Sequence, residues 1–141
     1  MTRLRMIAGP LLGLMLASAC EDVLVPLELP AGSREFVPEP VFKVWWQQIE
    51  ICSGRQASFD AVSWYVIPGE TPFRIPNHDY DVVGFWDQVA NRIVLLEILP
   101  DRRAPYVRHE ALHAILRRTD HPDEFFVTRC GEVINGPESP G

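Results

Sequence analysis

Hydrophobic positions along the chain fall into short periodic segments that are separated by proline and glycine. Residues 41–51 repeat apolar side chains at helical spacing, behind Pro40 and ahead of Gly54, which predicts an amphipathic helix. Residues 62–67 alternate in the manner of a strand and end at a proline–glycine pair. We interpret the apolar stripe of the helix as core, and it consists of Phe42, Trp45, Trp46, Ile49 and Cys52.

A hairpin and a second helix are predicted further along the chain. Residues 82–86 and 92–96 form two apolar runs around a polar turn, after an expected loop at residues 71–81. Residues 104–118 carry apolar positions at helical spacing, with a proline that suits the first turn of a helix. A turn and then a short helix or strand at residues 122–127 are expected to follow.

The first twenty residues have the composition of an export signal. Arg3 and Arg5 precede an apolar run, and small residues lead up to Cys20. The run is too short to span a bilayer as a stable helix. It resembles a bacterial lipoprotein signal peptide, which implies removal of residues 1–19 and lipidation of Cys20. Glu21 follows the cysteine, and in the lipoprotein pattern this is compatible with anchoring in the outer membrane of the cell envelope.

Composition also divides the remainder of the chain. Prolines are frequent between residues 21 and 40, so residues 20–39 are predicted to be the lipidated cysteine and an extended tether, with a short strand at 23–27 as an alternative. Residues 40–130 are predicted to form one folded domain with a single core. Residues 131–141 are expected to be a flexible C-terminal tail.

Charge narrows the classes of partner. The 141 residues carry a formal net charge of −6, and removal of residues 1–19 would take away two arginines and no acidic residue. An acidic exported domain is a poor candidate for binding nucleic acid. We therefore expect no nucleic-acid partner. The lipid anchor implies a membrane contact, and a monomer is expected.

The residues with the clearest chemistry are 109–113, which spell His-Glu-Ala-Leu-His. On a helix His109 and His113 lie one turn apart on the same face, so both imidazoles can point at one ion while Glu110 lies beside them. Neutral imidazole is a preferred zinc ligand, and a neighbouring carboxylate can take a proton from metal-activated water. The pattern predicts one zinc ion and metal-assisted hydrolysis. Histidines that are hydrogen-bonded in a core are the alternative.

This motif, and the order of elements around it, resemble the zincin fold of HExxH metalloproteases over residues 40–130. The resemblance implies a small α+β domain, with a short, mostly antiparallel sheet packed on the N-terminal helix and on the helix that carries the motif. It also implies a peptidase with a peptide or protein substrate, in which His109 and His113 bind zinc and Glu110 is the general base. In zincins the strand before the active-site helix lines the cleft and pairs with an extended substrate, and residues 91–97 match that strand.

The third protein ligand of the zinc ion is predicted to be His121. The chain lacks the glycine and the third histidine of the metzincin pattern HExxHxxGxxH. Catalytic zinc usually has three protein ligands, and a helix that must end before Pro122 leaves room for a turn that folds the chain back. Asp120 and Glu124 are the alternative ligands, and Asp120 could instead orient a ligating imidazole.

Cys52 and Cys130 remain once Cys20 is lipidated. In an oxidising envelope such a pair predicts a disulfide, which would tie the end of the first helix to the segment after the motif helix. A zinc-ligand role for Cys52, as in peptide deformylases, is the alternative, although the surrounding sequence does not match that family.

Three functions remain open from the sequence. The first is an envelope-anchored zinc peptidase, and the second is a non-catalytic zincin-like lipoprotein with a structural zinc ion. The third is a different metal-dependent hydrolase, because the spacing of the three histidines distantly resembles that of the YbeY-like endoribonucleases, although export and acidity oppose it. Peptide hydrolysis also needs a donor for the oxyanion of the tetrahedral intermediate. The unranked candidates for that donor are Tyr65, Tyr80, Tyr106 and His78.

Overall fold

The structure is a computed structural model that describes residues 25–75, 79–97 and 103–137. The predicted signal peptide and Cys20 therefore lie outside the described residues. Within the described ranges, no helix is both long enough and apolar enough to cross a membrane. Along the chain the elements are β1 (Arg34–Glu35), α1 (Pro40–Ser53), a 3₁₀ turn (Phe59–Ala61), β2 (Ser63–Ile67), β3 (Phe73–Arg74), β4 (Asp81–Val82), β5 (Gly84–Asp87), β6 (Arg92–Leu96), α2 (Arg103–Leu116), a π-helical segment (Glu124–Arg129) and α3 (Gly131–Ile134).

Four strands form the main sheet, in the spatial order β1-β2-β6-β5. Strand β6 pairs in parallel with β2 and antiparallel with β5, and β1 pairs antiparallel with β2. Helices α1 and α2 pack against each other, and α2 also packs on β5 and β6. This arrangement confirms the predicted α+β fold with a small, mostly antiparallel sheet.

Helix α1 has the boundaries that the sequence predicts. Pro40 occupies the first turn, where its missing N–H is not needed. Gly54 adopts a left-handed φ of 67° just after the helix and donates its N–H to the Glu50 carbonyl at 2.9 Å. The predicted core stripe is buried, with Phe42, Trp45, Trp46 and Ile49 all at most 4% exposed.

Apolar clusters cover the main sheet on both faces. Strand β6 sends Ile93 and Leu95 into the core beneath the helices and Val94 into a second cluster on the opposite face. Such two-sided burial explains why this strand is a nearly continuous apolar run. The second cluster consists of Ile67, Ile75, Phe85 and Val94, with Leu27, Leu29, Tyr65, Phe73 and Val82 packed against it.

That second layer corrects two sequence predictions. From Leu27 onward the chain is not a free tether: the Leu27 N–H donates to Asp87 Oδ2 at 3.0 Å, Arg92 donates to the Leu27 carbonyl, and β1 pairs with β2. The expected loop at residues 71–81 contains β3 and β4, which pair with each other. Both predictions were wrong because these segments are needed to cover the far face of the sheet.

The expected flexible tail at residues 131–141 is also wrong for residues 131–137, while 138–141 lie outside the described residues. Helix α3 forms there, and Ile134 is buried in the main core. The Arg108 guanidinium, only 2% exposed, donates to three carbonyls of this segment. A buried cation needs hydrogen-bond acceptors, and Arg108 on α2 finds them in this segment. These hydrogen bonds therefore hold the segment against α2. The acceptors are Val133 at 3.2 Å, Gly136 at 3.1 Å and Pro137 at 3.1 Å.

Cys52 and Cys130 form the predicted disulfide. It joins the end of α1 to the residue between the π-helical segment and α3. The two cysteines are 78 residues apart in sequence, and closing so long a loop stabilises by about 4 kcal/mol in the chain-entropy model. Because its sulfur is bonded to Cys130, the alternative role of Cys52 as a zinc ligand is wrong.

Candidate metal centre

Helix α2 presents the motif residues toward one cleft. His109 and His113, which lie one turn apart, and the adjacent Glu110 all line that cleft. The remaining sides of the helix are buried and mainly apolar, with Arg108 as a buried charged exception, and they hold its orientation. These sides include Ala104, Val107, Ala111, Leu112, Ala114 and Ile115.

A left-handed turn ends α2 earlier than the sequence predicts. Arg117 adopts a φ of 53°, and the Arg118 N–H donates to the His113 carbonyl at 3.2 Å. The turn brings the Arg118 carbonyl to 2.8 Å from His113 Nδ1. A carbonyl only accepts, so the proton lies on Nδ1 and the His113 Nε2 lone pair is free for a metal ion.

The same turn brings His121 back to the two helical histidines. The Nε2 atoms of His109 and His121 are 3.0 Å apart, and His113 Nε2 is 3.2 Å from each of them. His113 is buried, His109 is partly buried and His121 is exposed. These three side chains, the metal triad hereafter, form a cluster that could hold one metal ion.

The triangle of nitrogens fits a small metal ion. Nitrogen ligands that bind a tetrahedral zinc ion lie about 3.3 Å apart. The observed separations of 3.0–3.2 Å are close to that spacing. Without an ion or a shared proton, lone pairs facing each other at this distance would repel, so the arrangement matches a metal ligand set better than a core hydrogen-bond network.

The electrostatics of the cluster also favour metal binding. Burial, and then repulsion from His113 and His121, lowers the pKa of His109 from 6.5 to about 4. Burial lowers the pKa of His113 to about 4 as well, although the Arg118 carbonyl and Asp120 favour its charged form. Both rings are therefore neutral at neutral pH, which is the form that binds metal ions.

Neither alternative third ligand belongs to the cluster. Asp120 accepts two hydrogen bonds from Arg118, at 2.8 and 2.6 Å, and this partner lowers the pKa of its carboxyl. Glu124 pairs with Arg129 at 3.4 Å. Asp120 does not orient the His113 imidazole either, since the described partner of His113 Nδ1 is the Arg118 carbonyl.

Glu110 is buried beside the triad at 6% exposure. Burial raises the pKa of its carboxyl to about 8, against the opposing effect of a hydrogen bond from the Trp86 backbone N–H. Gly84 leaves the space that this side chain fills, because a Cβ there would lie 3.3 Å from Glu110 Cγ and 3.1 Å from a Leu95 methyl. Gly84 and Trp86 therefore hold Glu110 at the wall of the cleft.

The cleft has a volume of about 560 Å³ and a mainly apolar lining. Tyr80 and Tyr106 line it and remain possible oxyanion donors. Tyr65 does not, since it packs against the second cluster with Arg92 5.9 Å from its ring centre. His78 lies outside the described residues. The apolar lining includes Leu27, Ile75, Val82, Val83, Phe85, Pro105 and Ile134.

Strand β5, and not β6, forms the edge beside this cleft. Strand β6 lies between β2 and β5, so the expected pairing of residues 91–97 with a substrate is wrong. The Leu96 N–H donates to the Val83 carbonyl at 2.8 Å, and in an antiparallel pair such bonding alternates along the strand. The backbone groups of Gly84 and Trp86 therefore point outward, away from β6.

Three contributors to the site were not predicted from the sequence. Phe126 packs against all three imidazoles. Because Phe125 lies next to it, the sequence does not show which of the two rings enters the core and which contacts the imidazoles. Gly84 stood inside a predicted strand, where an isolated glycine can mark a close approach, and that signal was available. The Arg118 carbonyl is a backbone group, so no side-chain motif could identify it.

Comparisons of this chain with protein-family models, with curated proteins and with solved structures found no significant match. The likeness to zincins therefore rests on the HExxH motif and on the order of the elements. Function has to be inferred from the chemistry of the site.

Replacing Glu110 by Gln is expected to stabilise the metal-free domain at neutral pH. The unfolded carboxyl ionises around its ordinary pKa of 4.5, whereas the folded protein raises that pKa to about 8. Folding with a protonated carboxyl therefore costs stability that grows as pH rises through this window. Glutamine stays neutral and can still accept the Trp86 N–H. The gain at pH 7 should be on the order of 3 kcal/mol and should vanish near pH 4.

The measurement is thermal unfolding of wild type and Glu110→Gln in a chelator, between pH 4 and pH 8. Glutamine in place of the exposed Glu132 controls for removal of a negative charge. A difference in Tm between wild type and Glu110→Gln that stays constant with pH would contradict the burial argument.

Proposed function

We propose that this chain is a zinc-dependent peptidase held in the bacterial cell envelope by an N-terminal lipid. One observation carries the proposal: three imidazole nitrogens 3.0–3.2 Å apart lie with a buried carboxyl in one cleft. An outward-facing strand edge borders the same cleft. Ligands, base and substrate edge are thus together in one place, as metal-assisted peptide hydrolysis requires.

The donor set supports zinc as the ion. His109, His113 and His121 offer three neutral imidazole nitrogens, and no carboxylate belongs to the described cluster. Imidazole ligands suit zinc and other late transition metals, whereas magnesium and calcium prefer oxygen. Three protein ligands would leave one position open for water or substrate, which is the usual composition of a catalytic zinc site.

Within this site Glu110 has the position of a general base. A bound zinc ion would supply Lewis acidity to water and to the scissile carbonyl. The Glu110 carboxylate would take the proton from the attacking water and later deliver it to the leaving amine. A carboxyl whose pKa is about 8 is mostly protonated at neutral pH, and a cation in the neighbouring triad would favour its ionised form. The Trp86 N–H keeps the carboxyl oriented toward the cleft.

An extended peptide is the substrate that the cleft accommodates best. The outward backbone groups of Gly84 can pair with the main chain of such a peptide, which would add a strand to the sheet beside β5. The apolar lining of the cleft would then receive apolar side chains of the substrate. A main-chain pairing of this kind fixes the scissile carbonyl relative to the triad and to Glu110.

Replacing His121 by Ala is expected to weaken zinc binding by more than about 100-fold, because it removes one of three protein ligands. Zinc affinity would be measured on the mature domain by competition with a chelator. Asp120→Asn and Glu124→Gln are matched controls from the same segment, and they should change the affinity much less. Tight binding in His121→Ala, with loss of binding in either control, would assign the third ligand to that carboxylate.

Replacing Glu110 by Gln is expected to leave zinc bound and to lower the rate of peptide cleavage by roughly 10²- to 10⁴-fold, since the general base is removed while the ligands stay. The assay is cleavage of an unstructured peptide library by metal-loaded protein. Peptides with N-methylated main chains should be cleaved more slowly, because they cannot donate to the Gly84 carbonyl.

Equal cleavage rates in wild type and Glu110→Gln would contradict the proposed mechanism. A wild-type protein that binds zinc tightly and cleaves no member of the library would instead support the non-catalytic alternative.

The lipid anchor is the remaining part of the proposal, and it rests on residues 1–20 alone. A palmitate analogue fed to expressing bacteria should label the wild type and should not label Cys20→Ala, since the lipid is first attached through a thioether to that sulfur. Unlabelled wild type recovered from the soluble periplasmic fraction would rule out the anchor. That outcome would leave the metal site untouched.

A further inference from the structure

The ring of Phe126 packs against the metal triad and takes no part in the proposed hydrolysis. The ring centre of Phe126 lies 5.1 Å from that of His109, 4.7 Å from that of His113 and 4.7 Å from that of His121. The three imidazole centres are themselves 4.6–5.0 Å apart. The four rings thus form a nearly regular tetrahedral group, with Phe126 on the axis of the triad.

Phe126 contacts all three imidazoles of the triad without lining the cleft. His109, His113 and His121 all line the cleft, whereas Phe126 is not among the described residues that do. Phe126 is partly buried and packs against the main core. A phenyl ring has no lone pair to offer a metal ion, and it leaves no room for water in the volume that it fills.

A π-helical segment determines which phenylalanine contacts the triad. The N–H groups of Phe125 and Phe126 both donate to the Pro122 carbonyl, and the Cys130 N–H donates to the Phe125 carbonyl five residues back. Phe125 points into the main core, with the Arg129 guanidinium 5.6 Å from its ring centre. The disulfide at Cys130 fixes the end of this segment to α1, so the segment cannot move as a free loop.

We propose that Phe126 is a positioning residue that holds the three imidazoles in place and closes the metal site on the side where its ring packs. A bound ion would then keep three protein ligands and one position open to the cleft. This inference rests on the metal site of the proposed function and not on peptidase activity. Where this ring packs there would be no room for a water ligand of the ion. The coordination number therefore stays low, which favours zinc over ions that prefer six ligands.

Cobalt(II) is the probe that tests this inference, because four-coordinate cobalt absorbs visible light strongly and six-coordinate cobalt absorbs weakly. Wild-type mature domain and Phe126→Ala would be titrated with cobalt, and zinc affinity would be measured by chelator competition. Phe126→Ala should lose most of the strong visible band and bind zinc about 10- to 100-fold more weakly. Phe126→Leu, which keeps an apolar side chain behind the triad, should restore most of both properties.

Phe125→Ala is the matched control, since it removes the neighbouring ring from the same segment and from the core without touching the imidazoles. It should lower Tm and leave the cobalt spectrum and the zinc affinity of the folded protein unchanged. The inference is overturned if Phe126→Ala keeps the wild-type spectrum and affinity, or if Phe125→Ala changes them equally. It is also overturned if the wild type shows the weak spectrum of six-coordinate cobalt. None of these readouts needs turnover, so failure of the peptidase proposal would be seen separately in the Glu110→Gln assay.

Discussion

Two imidazoles and a carboxyl are buried or partly buried on α2, whose other sides are mainly apolar. The rest of the site depends on which groups outside the helix form hydrogen bonds with them. The carboxyl of Glu110 has the Trp86 N–H, and His113 has the Arg118 carbonyl. Each partner is a backbone group on a different element, so strand β5 and the turn after α2 must both be in place before the helix can bury these groups at acceptable cost. A metal ion would satisfy the remaining Nε2 atoms.

The segment that supplies the third imidazole is fixed at both ends by covalent or conformational restraints. At its start Arg117 adopts a left-handed conformation, which is uncommon for a residue with a side chain. At its end Cys130 is bonded to Cys52 on α1. Between them lie His121 and Phe126, which meet the two helical histidines. Such restraint lowers the entropy lost when three ligands are held for one ion.

The cleft owes its walls to chain segments that look dispensable in isolation. Leu27 comes from a proline-rich stretch. Its side chain packs against the second cluster and also lines the cleft. Ile134 and Asn135 come from the C-terminal segment, which the buried Arg108 holds through three carbonyls. Truncated forms of the domain that remove either segment would therefore expose apolar surface and widen the cleft at the same time.

The sequence by itself determined those elements in which the hydrophobic period and the residues at the ends indicate the same structure. These elements are α1 between Pro40 and Gly54, the hairpin of β5 and β6, and the motif helix α2. They also placed His109 and His113 on one face with Glu110 beside them, because residues four apart on a helix lie one turn apart. Tertiary structure decided what depends on contacts between distant segments. The order β1-β2-β6-β5 made β5 the edge strand beside the cleft, the burial of both sheet faces recruited residue 27 and its neighbours, and the packing of the π-helical segment sent Phe126 and not Phe125 to the triad. None of these three outcomes follows from a hydrophobic period of 2 or 3.6 residues. Each depends on which apolar surface, formed by residues distant in sequence, still has to be buried.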